Sequence, residues 1–193
     1  MKNDKVIVAI GIVILLIAAA GVYFYKPAEE KPFIAAGEVL NVLGGVMRDV
    51  PNAIEVADSS PFYALIATPL SVHYDKEGNR EVIPMYIKNM TNPSRAVIRT
   101  EQMVGRFIDL VIDGKKSPKE VSLELAEKYW GKSDLALIIK DDKKGYEVGL
   151  VATPIASYLS IPVIVTDKID SPVIKTLSKL KVRYILICGN LST

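Results

Sequence analysis

The feature that most constrains this chain is an uncharged, proline-free run of twenty residues near its start. Residues 6 to 25 read VIVAIGIVILLIAAAGVYFY. At the rise of an α-helix such a run spans about 30 Å, the thickness of a bilayer's hydrocarbon core. Tyr23, Phe24 and Tyr25 close it as an interfacial aromatic belt, and Lys26 and Pro27 follow. A cleaved signal peptide is the competing reading, because Ala18 and Ala20 fit a small-x-small cleavage site. The run exceeds the roughly 7 to 15 apolar residues of a signal core, so a retained single-pass anchor is expected. No cysteine adjoins its end to carry a lipid.

Orientation follows from flanking charge. Lys2, Lys5 and the terminal amine precede the span, whereas Lys26 and Lys31 follow it together with Glu29 and Glu30. The positive-inside rule then leaves residues 1 to 25 as a cytoplasmic stub plus transmembrane helix, with the remainder extracytoplasmic. Asn89-Met90-Thr91 and Asn190-Leu191-Ser192 are glycosylation sequons compatible with that location.

Residues 26 to 32, KPAEEKP, form a polar tether framed by prolines. Residues 33 to 193 suffice for one domain with its own core. Phe33 to Val50 has mostly helical spacing, broken by Gly44-Gly45. Ala53 to Ala57 is a short strand ahead of the helix-start signature Asp58-Ser59-Ser60-Pro61. From Arg95 to Asp113 the apolar positions keep a helical period, with Gly114 as the stop. Ser117, Pro118 and Glu120 make a capping box for a helix ending near Trp130-Gly131.

The last third is the most regular. Leu135 to Ile139, Pro162 to Thr166 and Tyr184 to Cys188 are continuous apolar runs, as expected of strands covered on both faces. Helical segments lie between them, at Tyr146 to Leu159 with Pro154 inside it, and from Ser171-Pro172 to Leu180. Strand, helix, strand, helix, strand predicts an α/β fold with a parallel doubly wound, Rossmann- or flavodoxin-like sheet. There is also an internal echo. Leu65-Ile66-Ala67-Thr68-Pro69-Leu70 matches Leu150-Val151-Ala152-Thr153-Pro154-Ile155, and each precedes a proline-led strand, at Pro84 and Pro162. Two degenerate copies of one α/β unit account for this, residues 53 to 88 holding the first; a β-hairpin over 62 to 88 is the alternative.

Chemistry is thin. With 24 Lys and Arg against 22 Asp and Glu, and no basic run, nothing favours nucleic acid. The single cysteine, Cys188, reads as a small buried hydrophobe, and the single histidine, His73, lacks a nucleophile motif. No glycine-rich phosphate loop, C-x-x-C or H-E-x-x-H is present, so neither a cofactor nor a metal is expected.

Within residues 117 to 190, Leu125-Ala126, Tyr146, Ala152, Pro154-Ile155-Ala156, Pro162, Val165-Thr166-Asp167 and Gly189 follow a known pattern. It resembles the cell wall-binding repeat 2 family, whose unit runs helix, buried strand, proline-bearing helix, proline-led strand, helix and strand. Residues 53 to 100 resemble it faintly. The resemblance implies a non-catalytic module that holds a surface protein to an envelope polymer, usually as three repeats packed together. The chain stops just after a strand where the family continues into a helix, so a homo-oligomer completing the repeat set is one expectation.

In open parallel sheets ligands bind beyond the carboxyl ends of the strands. That places a candidate ligand crevice at Asp141, Asp142, Lys143, Thr166, Asp167, Gly189 and Asn190. Tyr129 and Trp130 could stack a sugar but read as core. Taken together, the sequence predicts a single-pass cell-membrane protein, anchored in the bilayer through residues 6 to 25. Its extracytoplasmic domain would bind an envelope polymer or surface protein without catalysis. A small-molecule sensor is the alternative, and a hydrolase with dispersed carboxylates the third.

Overall fold

A computed structural model describes residues 43 to 75 and 77 to 191. The anchor expected at 6 to 25, the tether at 26 to 32 and the first part of the helix expected at 33 to 50 lie outside the described residues. Among the described residues no helix is long and apolar enough to cross a membrane.

The fold is mixed α/β, built around two separate three-stranded parallel sheets. In the first half, β2 (Ile54–Ala57) lies between β5 (Met85–Lys88) and β6 (Leu110–Ile112). In the second half, β8 (Leu135–Ile139) lies between β9 (Val163–Val165) and β10 (Tyr184–Cys188). Each sheet thus places its first strand at the centre and its second and third on opposite sides. The expectation of one parallel sheet is corrected to two, since no described strand of the first pairs with a strand of the second.

Among the described residues five helices connect these strands. In the first half α1 (Pro61–Ser71) follows β2 and α2 (Arg95–Val104) follows β5. Next, α3 (Pro118–Tyr129) leads into the second half, where α4 (Lys143–Tyr158) follows β8 and α5 (Ser171–Lys179) follows β9. Their starts are written locally. Ser60 caps α1 with Pro61 at its first position, and Ser117 with Glu120 closes a reciprocal capping box on α3. The Asp142 carboxylate caps α4 by accepting from the Gly145 amide at 2.7 Å.

Two antiparallel ribbons complete the architecture. β3 (Val72–Tyr74) pairs with β4 (Arg80–Val82), inserted between α1 and β5. The hairpin is thus confined to residues 72 to 82, and residues 61 to 71 are helical. β1 (Gly45–Met47) pairs with β7 (Trp130–Ser133), so the helical spacing read through 45 to 47 gives way to a strand. A side chain on Gly45 would strike the Ser160 carbonyl at 2.2 Å and the Trp130 ring at 2.8 Å, so this crossing admits only hydrogen.

One hydrophobic core runs through both halves and includes Ile54, Ile66, Leu70, Trp130, Leu137 and Val163. α1 is apolar on nearly every side and is correspondingly buried. The helix α1 packs on α4, on α3 and on β9. Tyr129 and Trp130 are core residues, and the Trp130 indole N–H donates to the Ser160 carbonyl.

Two further expectations are corrected. The helix read from Arg95 to Asp113 ends at Val104, because Gly105 takes the left-handed conformation (φ 64°) as its cap, and Leu110–Ile112 becomes β6. β10 is an edge strand with Tyr184 through Ile187 exposed, since it has one neighbour, β8, and little covers its faces.

Candidate functional site

The carboxyl ends of the second sheet carry the residues that the sequence singles out. Most of them hold the fold. Asp142 caps α4 and pairs with Lys140 at 3.1 Å; the Gly145 amide, then Lys140, hold its carboxyl below the usual range. The buried Thr166 donates its hydroxyl to the Lys168 carbonyl at 2.8 Å, while its amide donates to Ile139. Gly189 has φ 104°, and a Cβ there would meet Lys140 Cβ at 2.8 Å. The Lys140 amide meanwhile donates to the Cys188 carbonyl, locking the first and third strand ends together. Lys143 is solvent-exposed, 4.0 Å from Glu147, and Asn190 is exposed.

Asp141 differs from these. Its carboxyl is half-buried, and burial first, then the nearby charges of Asp167 and Asp142, push its pKa up. Asp167 and Asp142 thus both act on the Asp141 carboxyl through their charge. The sequence reading missed Tyr63, on α1 of the first half. Burial raises its phenol, and Asp113, Asp141 and Glu120 raise it further, so Asp113 after β6 and Asp141 after β8 both act on it. Its hydroxyl donates to the Lys116 carbonyl at 2.6 Å. No spacing signal marks this residue, because it lies in an apolar helix, and Asp113-Gly114 reads as a helix stop.

A cavity with a volume of about 490 Å³ lies at the amino ends of the second sheet. His73, Asp75 and Glu81 of the β3–β4 hairpin line it with Lys132, Asp134 and Ser160. His73 is the central residue of β3 and is 5 % exposed; its Nδ1 has no hydrogen-bond partner among the described residues. Burial pushes its pKa down, against a smaller opposing pull from the Leu70 backbone, Glu81 and Asp75. Burial alone would raise the Asp134 carboxyl, but Arg183, at 3.0 Å, and Lys132 hold it below the usual range. A second cavity of about 320 Å³ lies against β6 and α3 between Asp109 and Lys128.

Chemically the arrangement is sparse. His73 shares the amino-end cavity with Asp75 and Glu81, away from the strand-end carboxylates of Asp141, Asp142 and Asp167. Among the described residues no three His, Cys, Asp or Glu side chains converge to hold an ion. No protein-family model, no curated protein and no solved structure matches the chain.

Proposed function

We propose that this chain is a membrane-anchored, non-catalytic cell-envelope protein whose extracytoplasmic α/β domain works by contact with protein or glycan. One contrast carries the reading. Several polar groups at the strand ends are engaged in the fold, with Asp142 capping α4, Thr166 bonded to the Lys168 carbonyl and Asp113 paired to Lys115 at 2.7 Å. Aliphatic surfaces of α4 and β10, by contrast, stand open to solvent. Exposed apolar patches on folded domains mark binding faces. Tyr129 and Trp130 are buried and cannot stack a sugar, whereas Tyr184 of β10 stands open beside the aliphatic residues.

We read the two halves as degenerate copies of one unit related to the cell wall-binding repeat, each a minimal doubly wound sheet. With right-handed crossovers and the first strand central, the two connecting helices of each unit fall on opposite faces. The uncharged run at 6 to 25 supports attachment to the bilayer. Protease treatment of intact cells making the full chain tests the proposal. Cleavage of the domain from outside, with residues 1 to 25 kept in the membrane pellet, is expected. A domain protected inside the cell contradicts it.

A small-molecule sensor is the second reading, favoured by the amino-end cavity and by buried His73, whose Nδ1 has no hydrogen-bond partner among the described residues. Thermal-shift screening against metabolites and envelope polysaccharides separates the two. A metabolite that raises the Tm of the wild type but not of His73→Phe favours the sensor.

A further inference from the structure

The first helices of the two halves correspond residue for residue. Leu65-Ile66-Ala67-Thr68-Pro69-Leu70 of α1 aligns with Leu150-Val151-Ala152-Thr153-Pro154-Ile155 of α4. Both helices contain the proline, and both threonine hydroxyls donate to the carbonyl four residues earlier, at 2.7 Å. Burial at the paired positions is nevertheless opposite. Leu65, Ile66 and Leu70 are 5, 2 and 0 % exposed, whereas Leu150, Val151 and Ile155 are 48, 77 and 48 % exposed. Their side chains remain aliphatic. A helix face meant for water carries polar residues.

The fold itself shows what covers such a face. α1 is covered by α4 itself, and by α3 and the edge strand β9 of the second half. The outer edge of β9 is closed by Ser122 of α3, whose hydroxyl accepts from the Val165 amide at 3.0 Å. In the first sheet β5 holds the place of β9, and each is led by a proline, Pro84 or Pro162. Counting from those prolines, Ile87 corresponds to Val165. Val165 is fully buried and Ile87 is 48 % exposed. The chain therefore shows an α1-like face on one half and a β9-like face on the other. These are the two sides of a contact that it already makes once internally. Both are exposed, so they do not cover each other within one chain.

We infer that the α4 face of one copy docks on the β5 face of a second copy, head to tail, repeating the internal contact between α1 and β9. The inference rests on reading the two halves as equivalent units, and is independent of the envelope role. Such a contact is heterologous, joining unlike patches, so it builds rings or chains of copies.

Sedimentation of the full chain in detergent tests this, with Val151→Glu and Ile87→Glu, whose sites are exposed and whose circular dichroism should match the wild type. The milder pair Val151→Ser and Ile87→Ser carries the same expectation in weakened form. Wild type is expected to assemble, and each glutamate variant to run as a single chain. Mixing the two variants leaves one intact pair of faces and should restore a two-chain species. A single-chain wild type at high micromolar concentration overturns the inference. So does either glutamate variant assembling like the wild type, which would point to α4 meeting α4, to lipid, or to cover from within the same chain. A mixture that stays single-chain overturns it as well.

Discussion

Thr68 and Thr153 make the same hydrogen bond at the same place, each donating its hydroxyl 2.7 Å to the backbone carbonyl four residues before it and one residue ahead of a helix-internal proline. Proline supplies no N–H and crowds the preceding turn, and a threonine back-bond accommodates the bend that results. Thr153 is buried and Thr68 only partly so. Thr153→Val keeps the shape and removes the donor. It should cost about 1 kcal/mol in urea unfolding, and Thr68→Val less. Equal costs would show that burial does not set the worth of this bond.

Gly114 and Gly189 each follow the third strand of a sheet with φ above 80°. A Cβ on Gly114 would come within 2.5 Å of Ser59 Oγ, and one on Gly189 within 2.8 Å of Lys140 Cβ. Both neighbours follow the first strand of their own sheet, so in each half the third strand end is seated on the first. Gly114→Ala and Gly189→Ala should each destabilise by about 1 to 3 kcal/mol from backbone strain and the clash. Thermal unfolding of the two variants checks this.

Lys88 joins β5 to α2, donating to Glu55 and to Glu101, the latter at 3.1 Å, with all three side chains less than a fifth exposed. Helix α2 has no buried residue of its own, so this bond is a principal tie. Glu101→Gln should loosen the helix and speed trypsin cleavage after Arg99 and Arg106 several-fold, with global stability lowered by about 1 kcal/mol. An unchanged cleavage rate would show that other contacts hold α2.

What the sequence makes legible is what the core dictates. Leu135 to Ile139 reads as a doubly covered strand and is one, because an unbroken aliphatic run leaves no solvent face. The caps at Ser60 and Ser117 are equally local. Leu110–Ile112 escapes because Val97 to Val111 keep a helical period, and only the left-handed turn at Gly105 breaks it. β10 reads as buried because composition cannot tell a covered strand from an open edge. The strand-end residues are found, but their roles are not. That Asp142 spends its carboxylate on the Gly145 amide, and that Tyr63 approaches from the other half, depends on tertiary placement.

His73 gives the domain a specific acid sensitivity. Burial lowers its folded pKa, so the unfolded chain binds the proton more readily. The stability it permits is present above the unfolded value of about 6.5, and falls as pH drops from there toward the lower folded value. The slope is at most about 1.4 kcal/mol per pH unit, that of one proton. His73→Phe should flatten the urea midpoint between pH 7 and 5.5. A wild type equally flat over that range would contradict a buried neutral imidazole.

If the open aliphatic surfaces of α4 and β10 are contact surfaces, a thiol placed at Val151, the most exposed of their residues, reports it directly. The native Cys188 is buried, and burial pushes its thiol pKa up, so it contributes little background. Val151→Cys should react with a maleimide far more slowly in membranes from cells making the full chain than in dilute detergent. Lys143→Cys, on the exposed start of the same helix, should react alike in both. A Val151→Cys thiol that reacts in membranes as fast as the Lys143→Cys thiol would contradict the account.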